Sequence, residues 1–525
     1  MRGTLRKHPN LRVEPAAVFP EEAPELGKAR QNSRIDNAAP DPAICWPALY
    51  SRDARFDGRF FIGVVTTKVY CRPICPVPFA KRSNVVWLAS AAAAEADGFR
   101  PCRRCRPQAA PGTPAWLGSS ATVSRALRLI SEGALDNCGV EVLADRLGIG
   151  SRQLRRLFVQ HLGAPPLKIA ITRRIHFAQN LIEETDLPMT SIAMSAGFTS
   201  IRQFNHSFHK TVGKSPTEIR QLRGELEPQR KGLVVRLPYR PPFCWDEILR
   251  VLRLNSIPGV ETIENNCYRR TIEMECVVGS IAVWHEPDSR QLAVQVDLPR
   301  YECLMEIVER VRRIFDLGAD PVQISNHLER DTRLRPLLAR FPGLRVPGAW
   351  HGFELAVAAI LHLHPSSAGP RHCPSMRRLV KTFGRPVKTS VRGLTHLFPH
   401  PRDLMNADLS LLGVSKRRAQ TVRNLALALF KKKLTFQSSM SLEETISRLV
   451  AIEGIGHATA HYIAMRAFAE PDAFPSADPE LRRILGVKDC PALAAEMEKS
   501  AEGWRPWRAY AAMHLYASPT HLNNP

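Results

Sequence analysis

Phe61-Ile-Gly-Val-Val-Thr-Thr-Lys-Val-Tyr-Cys-Arg-Pro-Ile-Cys-Pro76 and Gly98-Phe-Arg-Pro-Cys-Arg-Arg-Cys105 hold four cysteines in two close pairs, Cys71 with Cys75 and Cys102 with Cys105. Two such pairs separated by a loop are the pattern of a tetrahedral zinc site. A module of about 70 residues also needs a staple, because its core alone stabilises it little. The pattern predicts one Zn2+ bound by Cys71, Cys75, Cys102 and Cys105 in a small domain over 41–112, closed by Pro111, Gly112 and Pro114. Spacing alone favours a purely structural zinc, since most four-cysteine sites are structural.

Outward from that module, the bulk numbers restrict the setting. A chain of 525 residues has room for three or four domains. Apolar residues make up 44%, enough for several cores and too many for a disordered chain. The 73 basic and 50 acidic side chains leave a formal charge of +23, which favours a polyanionic partner. No apolar run approaches the roughly 20 residues of a membrane span. The polar stretch 1–40 reads as a disordered tail without the apolar core of a signal peptide. These features point to DNA rather than membrane, and to a cytoplasmic, nucleoid-associated protein. In that compartment the 12 cysteines are expected to be reduced, so clustered ones indicate metal or catalysis.

Residues 119–222 read as all helical, with two helix-turn-helix patterns. In Val140-Glu-Val-Leu-Ala-Asp-Arg-Leu-Gly-Ile-Gly-Ser-Arg-Gln-Leu-Arg-Arg-Leu-Phe158, Ser151 is the expected N-cap of the second helix. Leu154, Leu157 and Phe158 face a core, leaving Arg152, Gln153, Arg155 and Arg156 outside, the composition of a recognition helix. In the second copy, Thr190 to Lys210, the core positions are Ile201, Phe204 and Phe208, and the outward ones Arg202, Gln203, Asn205 and His206. Arginine and glutamine can read guanine and adenine in the major groove.

A charged linker, 223–232, precedes a change of pattern. Thr271–Val278 and Gln291–Leu298 alternate like strands, and from about 301 the apolar residues return to helical spacing. The fold class is therefore multidomain: a small α+β zinc domain, an all-α double helix-turn-helix domain, and an α+β part with a strand-rich start (233–310) and a helical body (311–518). Within that body, Ala451-Ile-Glu-Gly-Ile-Gly-His457 is a glycine hairpin between helices. Gly454 and Gly456 would let a DNA phosphate approach the N-terminus of the next helix.

Three resemblances join these segments. The segment 41–107, including Ser51-Arg-Asp-Ala-Arg-Phe-Asp-Gly58, resembles the methyl-acceptor domain of the Ada family. There the first cysteine of the quartet takes a methyl group from a DNA methylphosphotriester, which implies Cys71 as acceptor. A thiolate, not a thiol, is the nucleophile, and zinc removes the proton at neutral pH. Arg72, Lys81, Arg82, Arg100, Arg103 and Arg104 are the candidates for neighbouring phosphates, or else a solvated basic surface. The region 119–220 resembles the DNA-binding domain of AraC-type regulators. The segment 233–518 resembles the helix-hairpin-helix DNA glycosylases of the AlkA type, from Arg236-Leu-Pro-Tyr-Arg-Pro-Pro-Phe243 to Trp504-Arg-Pro-Trp-Arg-Ala-Tyr510. That resemblance implies Asp478 as the catalytic carboxylate, otherwise a helix N-cap, with Tyr462 and Tyr516 in the base pocket, otherwise core packing.

Departures from the glycosylase pattern are equally plain. Glu453 stands where the hairpin usually has proline, and Ala458 replaces an aromatic. Across 362–374, Pro365, Pro370 and Pro374 should break the helix that usually carries the gap-filling residue, with His364 at that position. His362, His364, His372 and Cys373 match no standard metal spacing. There is no Pro-Cys-His-Arg motif, so no alkylguanine transferase activity is expected. The expectation is alkylation repair combined with transcription regulation. Cys71 methylation and base excision by Asp478 would act on alkylated DNA, and the regulator on operator DNA and RNA polymerase. One alternative is a methyl-sensing activator whose glycosylase-like domain only binds DNA. Another is a zinc-stabilised DNA-binding protein without chemistry.

Overall fold

The computed structural model of this protein describes residues 40–111, 121–136, 138–222, 233–274, 277–362, 374–436, 440–485 and 497–518. Almost all of the tail expected over 1–40, the linker 223–232, and residues 363–373 with Pro365, Pro370, His364, His372 and Cys373, lie outside the described residues. The expectation that these prolines break a helix therefore falls on residues outside the described ones; the described helices on either side are Gly352–His362 and Pro374–Phe383.

The first module is a four-stranded sheet with a helix on each face. Its elements are α1 (Pro42–Tyr50), β1 (Phe61–Val64), β2 (Val69–Cys71), β3 (Val85–Leu88), α2 (Ala91–Ala96) and β4 (Arg100–Pro101), with strand order β3-β1-β2-β4. Alternation along β1 sends Phe61 to one face and Ile62 to the other. Phe61 packs with Tyr70, Leu88, Ala94 and Phe99 under α2. Ile62 packs with Cys45, Ala48, Leu49 and Phe60 under α1. Ile62 pairs with Cys71 on one side and Trp87 on the other, so Cys71 lies on the α1 face and Tyr70 on the α2 face.

The helical module contains α3 (Ala121–Ser131), α4 (Val140–Arg146), α5 (Ser151–Leu162), α6 (Pro166–Glu184), α7 (Met189–Ser195), α8 (Ile201–Val212) and α9 (Pro216–Gln221). The long α6 joins two helix pairs, α4–α5 and α7–α8. Leu154 and Phe158 of α5, and Phe204 and Phe208 of α8, are fully buried. Two expectations are corrected here. The N-cap of α5 is Gly150, and Ser151 is the first helical residue, because the chain is still extended at position 150. Ile201 is not core: it opens α8 one residue after the N-cap Ser200 and is 38% exposed.

The last module begins with an antiparallel sheet, β5 (Leu233–Pro238), β6 (Glu261–Glu264), β7 (Cys267–Met274), β8 (Val277–Glu286) and β9 (Gln291–Asp297), ordered β5-β9-β8-β7-β6. Thr271–Val278, read as one alternating stretch, spans the end of β7 and the start of β8. Around the sheet lie α10 (Trp245–Leu254), α11 (Leu304–Ile314), α12 (Pro321–Leu328) and α13 (Arg335–Arg340). The helical body holds α14 (Gly352–His362), α15 (Pro374–Phe383), α16 (Pro401–Leu404), α17 (Lys416–Phe430), α18 (Leu442–Val450), α19 (His457–Ala467), α20 (Pro479–Ile484) and α21 (Arg508–Tyr516). Sheet and body are tied by Arg270, 1% exposed, which pairs with Glu261 at 3.0 Å and Glu354 of α14 at 2.9 Å. Among the described residues no helix is long and apolar enough to cross a membrane.

The modules meet through charged contacts. Glu95 of α2 accepts from Tyr70 at 3.1 Å and from Thr172 of α6 at 2.5 Å, and lies 3.0 Å from His176. Arg173 of α6 reaches Glu309 of α11 at 3.0 Å, Arg128 of α3 reaches Glu470 at 3.1 Å, and Arg59 reaches Asp320 at 3.1 Å. These pairs surround a cavity of about 380 Å³ at the junction.

Candidate active sites and nucleic-acid interface

The sulfur atoms of Cys71, Cys75, Cys102 and Cys105 all lie within 4.8 Å of one another. A zinc–sulfur bond of about 2.3 Å puts the edges of a tetrahedral sulfur cage at about 3.8 Å, so this set fits zinc. The backbone makes the cage: the Cys102 N–H donates to Tyr70 O at 2.9 Å, and the Cys75 N–H to Arg72 O at 3.1 Å. The protein binds one Zn2+ through these four cysteines. Their exposure is unequal. Cys75, Cys102 and Cys105 are buried at 5%, 8% and 8%, while Cys71 at the end of β2 is only partly covered. Cys45 is a different kind of thiol: burial under α1 pushes its pKa up to about 12, and it serves as core.

The basic residues around the cage divide into two groups. Arg103 and Arg104, in the turn between Cys102 and Cys105, are exposed, as are Lys81, Arg82 and Arg100. Arg72, expected on DNA phosphates, is placed otherwise. Its guanidinium holds the carboxylate of Asp57, with Nε donating at 2.8 Å, and donates to the Cys105 carbonyl at 3.1 Å. The Arg72 N–H also points at Cys105 Sγ, 3.4 Å away. Arg72 therefore braces the cage. Nothing in its sequence neighbourhood signals this, because Asp57 comes from the turn before β1.

On α5 the exposed side chains are Arg152, Gln153, Arg155 and Arg156, with Arg155 paired to Glu141 at 2.8 Å. On α8 they are Arg202, Gln203, Asn205 and His206. Each helix thus turns a polar row to solvent and an apolar row to its core, which is what entry into a groove requires.

The hairpin between α18 and α19 is fixed by tight packing. Gly454 has φ +95°, and a Cβ there would lie 1.8 Å from Thr421 Oγ1 of α17. Gly456 is the N-cap of α19, and a Cβ there would meet nothing within 4 Å. A helix N-terminus of this kind leaves first-turn backbone N–H groups without intrahelical partners. Glu453 is exposed beside it and accepts from Asn424 through its carbonyl at 3.4 Å.

Asp478 is 3% exposed and caps α20. Its Oδ1 accepts from the Glu480 N–H at 2.8 Å, and its Oδ2 accepts from the Tyr516 hydroxyl at 2.8 Å. Capping of α20 and the hydrogen bond from Tyr516 are therefore combined in one carboxylate. Burial and the charge of Asp478 raise the Tyr516 pKa well above the phenol range, so it stays a donor. Tyr462 of α19 is half-buried and close enough to be felt electrostatically by Tyr516. Two residues escaped the sequence reading. Arg466, 2% exposed, donates to the Tyr462 hydroxyl at 2.5 Å and to Pro347 O at 2.7 Å. His461 accepts from the Phe474 N–H at 3.3 Å, and burial lowers its pKa to about 4, so it is neutral. The one available signal for Arg466 was its position four residues after Tyr462, one helical turn away.

Comparison with known proteins follows the same division. Residues 44–108 match the family model of the metal-binding domain of Ada, 143–222 a helix-turn-helix domain, and 234–351 the AlkA N-terminal domain. A Mycobacterium tuberculosis protein named "Probable bifunctional transcriptional activator/DNA repair enzyme AlkA" is 40% identical over 91% of this chain and 97% of its own length. DNA-3-methyladenine glycosylase 2 of Escherichia coli K12 is 28% identical over 53% of this chain and 95% of its own. The bifunctional transcriptional activator/DNA repair enzyme Ada of the same organism is 31% identical over 33% of this chain and 48% of its own.

Proposed function

This chain belongs to the family of bifunctional transcriptional activator/DNA repair enzymes, and from that premise we propose that Cys71 is its methyl acceptor and Asp478 its glycosylase carboxylate. The protein acts in alkylation repair and in transcription regulation. The observation that carries the assignment of Cys71 is its partial exposure beside three buried cysteines. Bound zinc keeps the four sulfurs as electron-rich thiolates near pH 7. The Cys71 sulfur attacks the methyl carbon of a methylphosphotriester, the carbon–oxygen bond breaks, and its electron pair returns to the phosphate oxygen as an ordinary diester. Arg72 holds the loop that presents the sulfur, and Arg103 and Arg104 engage flanking phosphates.

In the second reaction an alkylated purine, already cationic, leaves the sugar, and water completes the hydrolysis. The Asp478 carboxylate stabilises the oxocarbenium-like sugar, while Tyr516 fixes its Oδ2 and Tyr462 stacks on the flipped base. Gly454 and Gly456 shape the hairpin for a phosphate, and Arg152, Gln153, Arg156, Arg202 and Gln203 read the operator. Activation proceeds through RNA polymerase, and the protein works at the nucleoid.

One incubation tests both halves. Exposure to methylated duplex DNA should add one methyl to the peptide containing Cys71 and release 3-methyladenine. A methyl on Cys75, Cys102 or Cys105, or none, sinks the first assignment. Equal base release by wild type and Asp478→Asn sinks the second. It would favour a methyl-sensing activator with a DNA-binding glycosylase fold, a reading that Asp478's role as the α20 cap supports.

A further inference from the structure

Beside the zinc cage, on the same face of the sheet, lies a ledge of aromatic rings and guanidinium groups, of which only Arg82 is also a candidate for phosphates in methyl transfer. The register of β1 puts Cys71 and Trp87 on either side of Ile62, about 10 Å apart at the usual strand spacing. Trp87 meets Trp46 of α1 edge-on with centroids 4.8 Å apart. Trp46 stacks on Tyr50 at 5.7 Å and 24°, and Tyr50 meets Phe79 at 5.2 Å. Phe79 belongs to the loop that leaves Cys75, and Arg52 fastens that loop by donating to Pro76 O at 3.2 Å.

The ledge faces solvent. Tyr50 is 46% and Phe79 42% exposed, and Arg52 and Arg82 are exposed as well. The guanidinium of Arg82 lies 4.9 Å from the Trp46 ring centre and 5.6 Å from that of Tyr50, with Nε donating to the Tyr50 hydroxyl at 3.1 Å. Arg52 lies 5.6 Å from the Phe79 ring centre. Rings left in water at this cost, interleaved with fixed cations, suit a partner that offers flat π-faces and negative charge together.

We propose that this ledge binds an unpaired DNA strand, with bases stacked on Tyr50 and Phe79 and phosphates on Arg52 and Arg82. A duplex hides its base faces and an unpaired strand does not, so aromatic platforms beside basic groups are the mark of single-strand binding. The ledge continues the face that carries Cys71, so a strand lying on it runs past the sulfur. Alkylated phosphates in single-stranded DNA then become substrates. The proposal rests on Cys71 as acceptor only for this last consequence; binding itself does not require it.

The test uses the full-length, zinc-loaded protein, a fluorescent oligo-dT strand and, separately, duplex DNA. Tyr50→Ala with Phe79→Ala should weaken oligo-dT binding about tenfold for each ring lost, and leave duplex affinity within about twofold. Arg82→Ala should lower the salt slope of oligo-dT binding by about one. Zinc content reports folding of the module. If the alanine pair loses zinc, Tyr50→Leu with Phe79→Leu keeps apolar bulk and should show the same selective loss. Unchanged oligo-dT affinity, or equal loss on strand and duplex, overturns the proposal. So does a fall in transcription with oligo-dT affinity intact, which would make the ledge a protein contact. Failure of wild-type Cys71 to take a methyl would instead refute the acceptor assignment and leave the binding result standing.

Discussion

At the scale of single residues, the cysteines differ in burial although their chemistry is the same. Cys71→Ser is expected to abolish methyl uptake while the module still folds around three buried sulfurs with weakened zinc. Cys75→Ser should lose zinc and native structure together; metal analysis with circular dichroism separates the two outcomes. At the proposed glycosylase carboxylate, Tyr516→Phe removes the donor to Asp478 Oδ2. A hydrogen bond to a charged group contributes about 1.5–3 kcal/mol, so base release should fall about tenfold or more, with Asp478 still in place as a cap. Single-turnover release of 3-methyladenine measures this. The zinc ligands were legible in the sequence because tetrahedral coordination allows few spacings. The partner of Arg72 was not, since Asp57 meets it only once the sheet has formed.

At the scale of elements, the hairpin offers a sharp comparison between two glycines two positions apart. Gly454→Ala forces a Cβ into buried Thr421 at a positive φ, and should cost about 2–4 kcal/mol from overpacking and backbone strain. Gly456→Ala meets empty space, and should change stability by about 0.5 kcal/mol or less. It should still weaken DNA binding, because its methyl group would occupy the space a phosphate needs. Urea unfolding and duplex affinity, measured on both variants, check the contrast. Helix type and face were readable from periodicity: Leu154, Phe158, Phe204 and Phe208 are all buried as their spacing requires. Boundaries were less readable. Gly150 rather than Ser151 caps α5, and Ile201 lies too close to the helix start to reach the core. Alternation within Thr271–Val278 could not reveal a break, because both strands of the hairpin share the same period.

At the scale of the whole molecule, what holds the modules together could not be read in advance, since Glu95 and His176 are far apart in sequence. Glu95 is a hub, and its pKa is lowered despite deep burial: desolvation raises it, and His176, Thr172 and Lys168 outweigh that. A depressed carboxylate pKa stabilises the fold above the unfolded value near 4.5, and that stabilisation fades as pH falls through the folded value. Glu95→Gln should therefore loosen the joint between α2 and α6 at pH 7 and change little in strong acid. Asp316, on the wall of the junction cavity, behaves in the opposite sense. Burial raises its pKa to about 6, beyond the pull of Arg345 and the Tyr510 hydrogen bond. Its ionisation opposes folding as pH rises from about 4 to about 6, and costs about 3 kcal/mol above that range. Asp316→Asn should flatten this slope and gain most near neutrality, as thermal unfolding at pH 4.5 and 7.5 would show.

One partly exposed cysteine among four has an arithmetic consequence. A thioether does not revert to a thiolate under cellular conditions, and the three buried sulfurs cannot replace it. With Cys71 as the proposed acceptor, each chain registers one event and no more. The marked fraction of the population then behaves as a dosimeter: it integrates exposure, saturates when the copies run out, and resets only as growth dilutes the spent molecules.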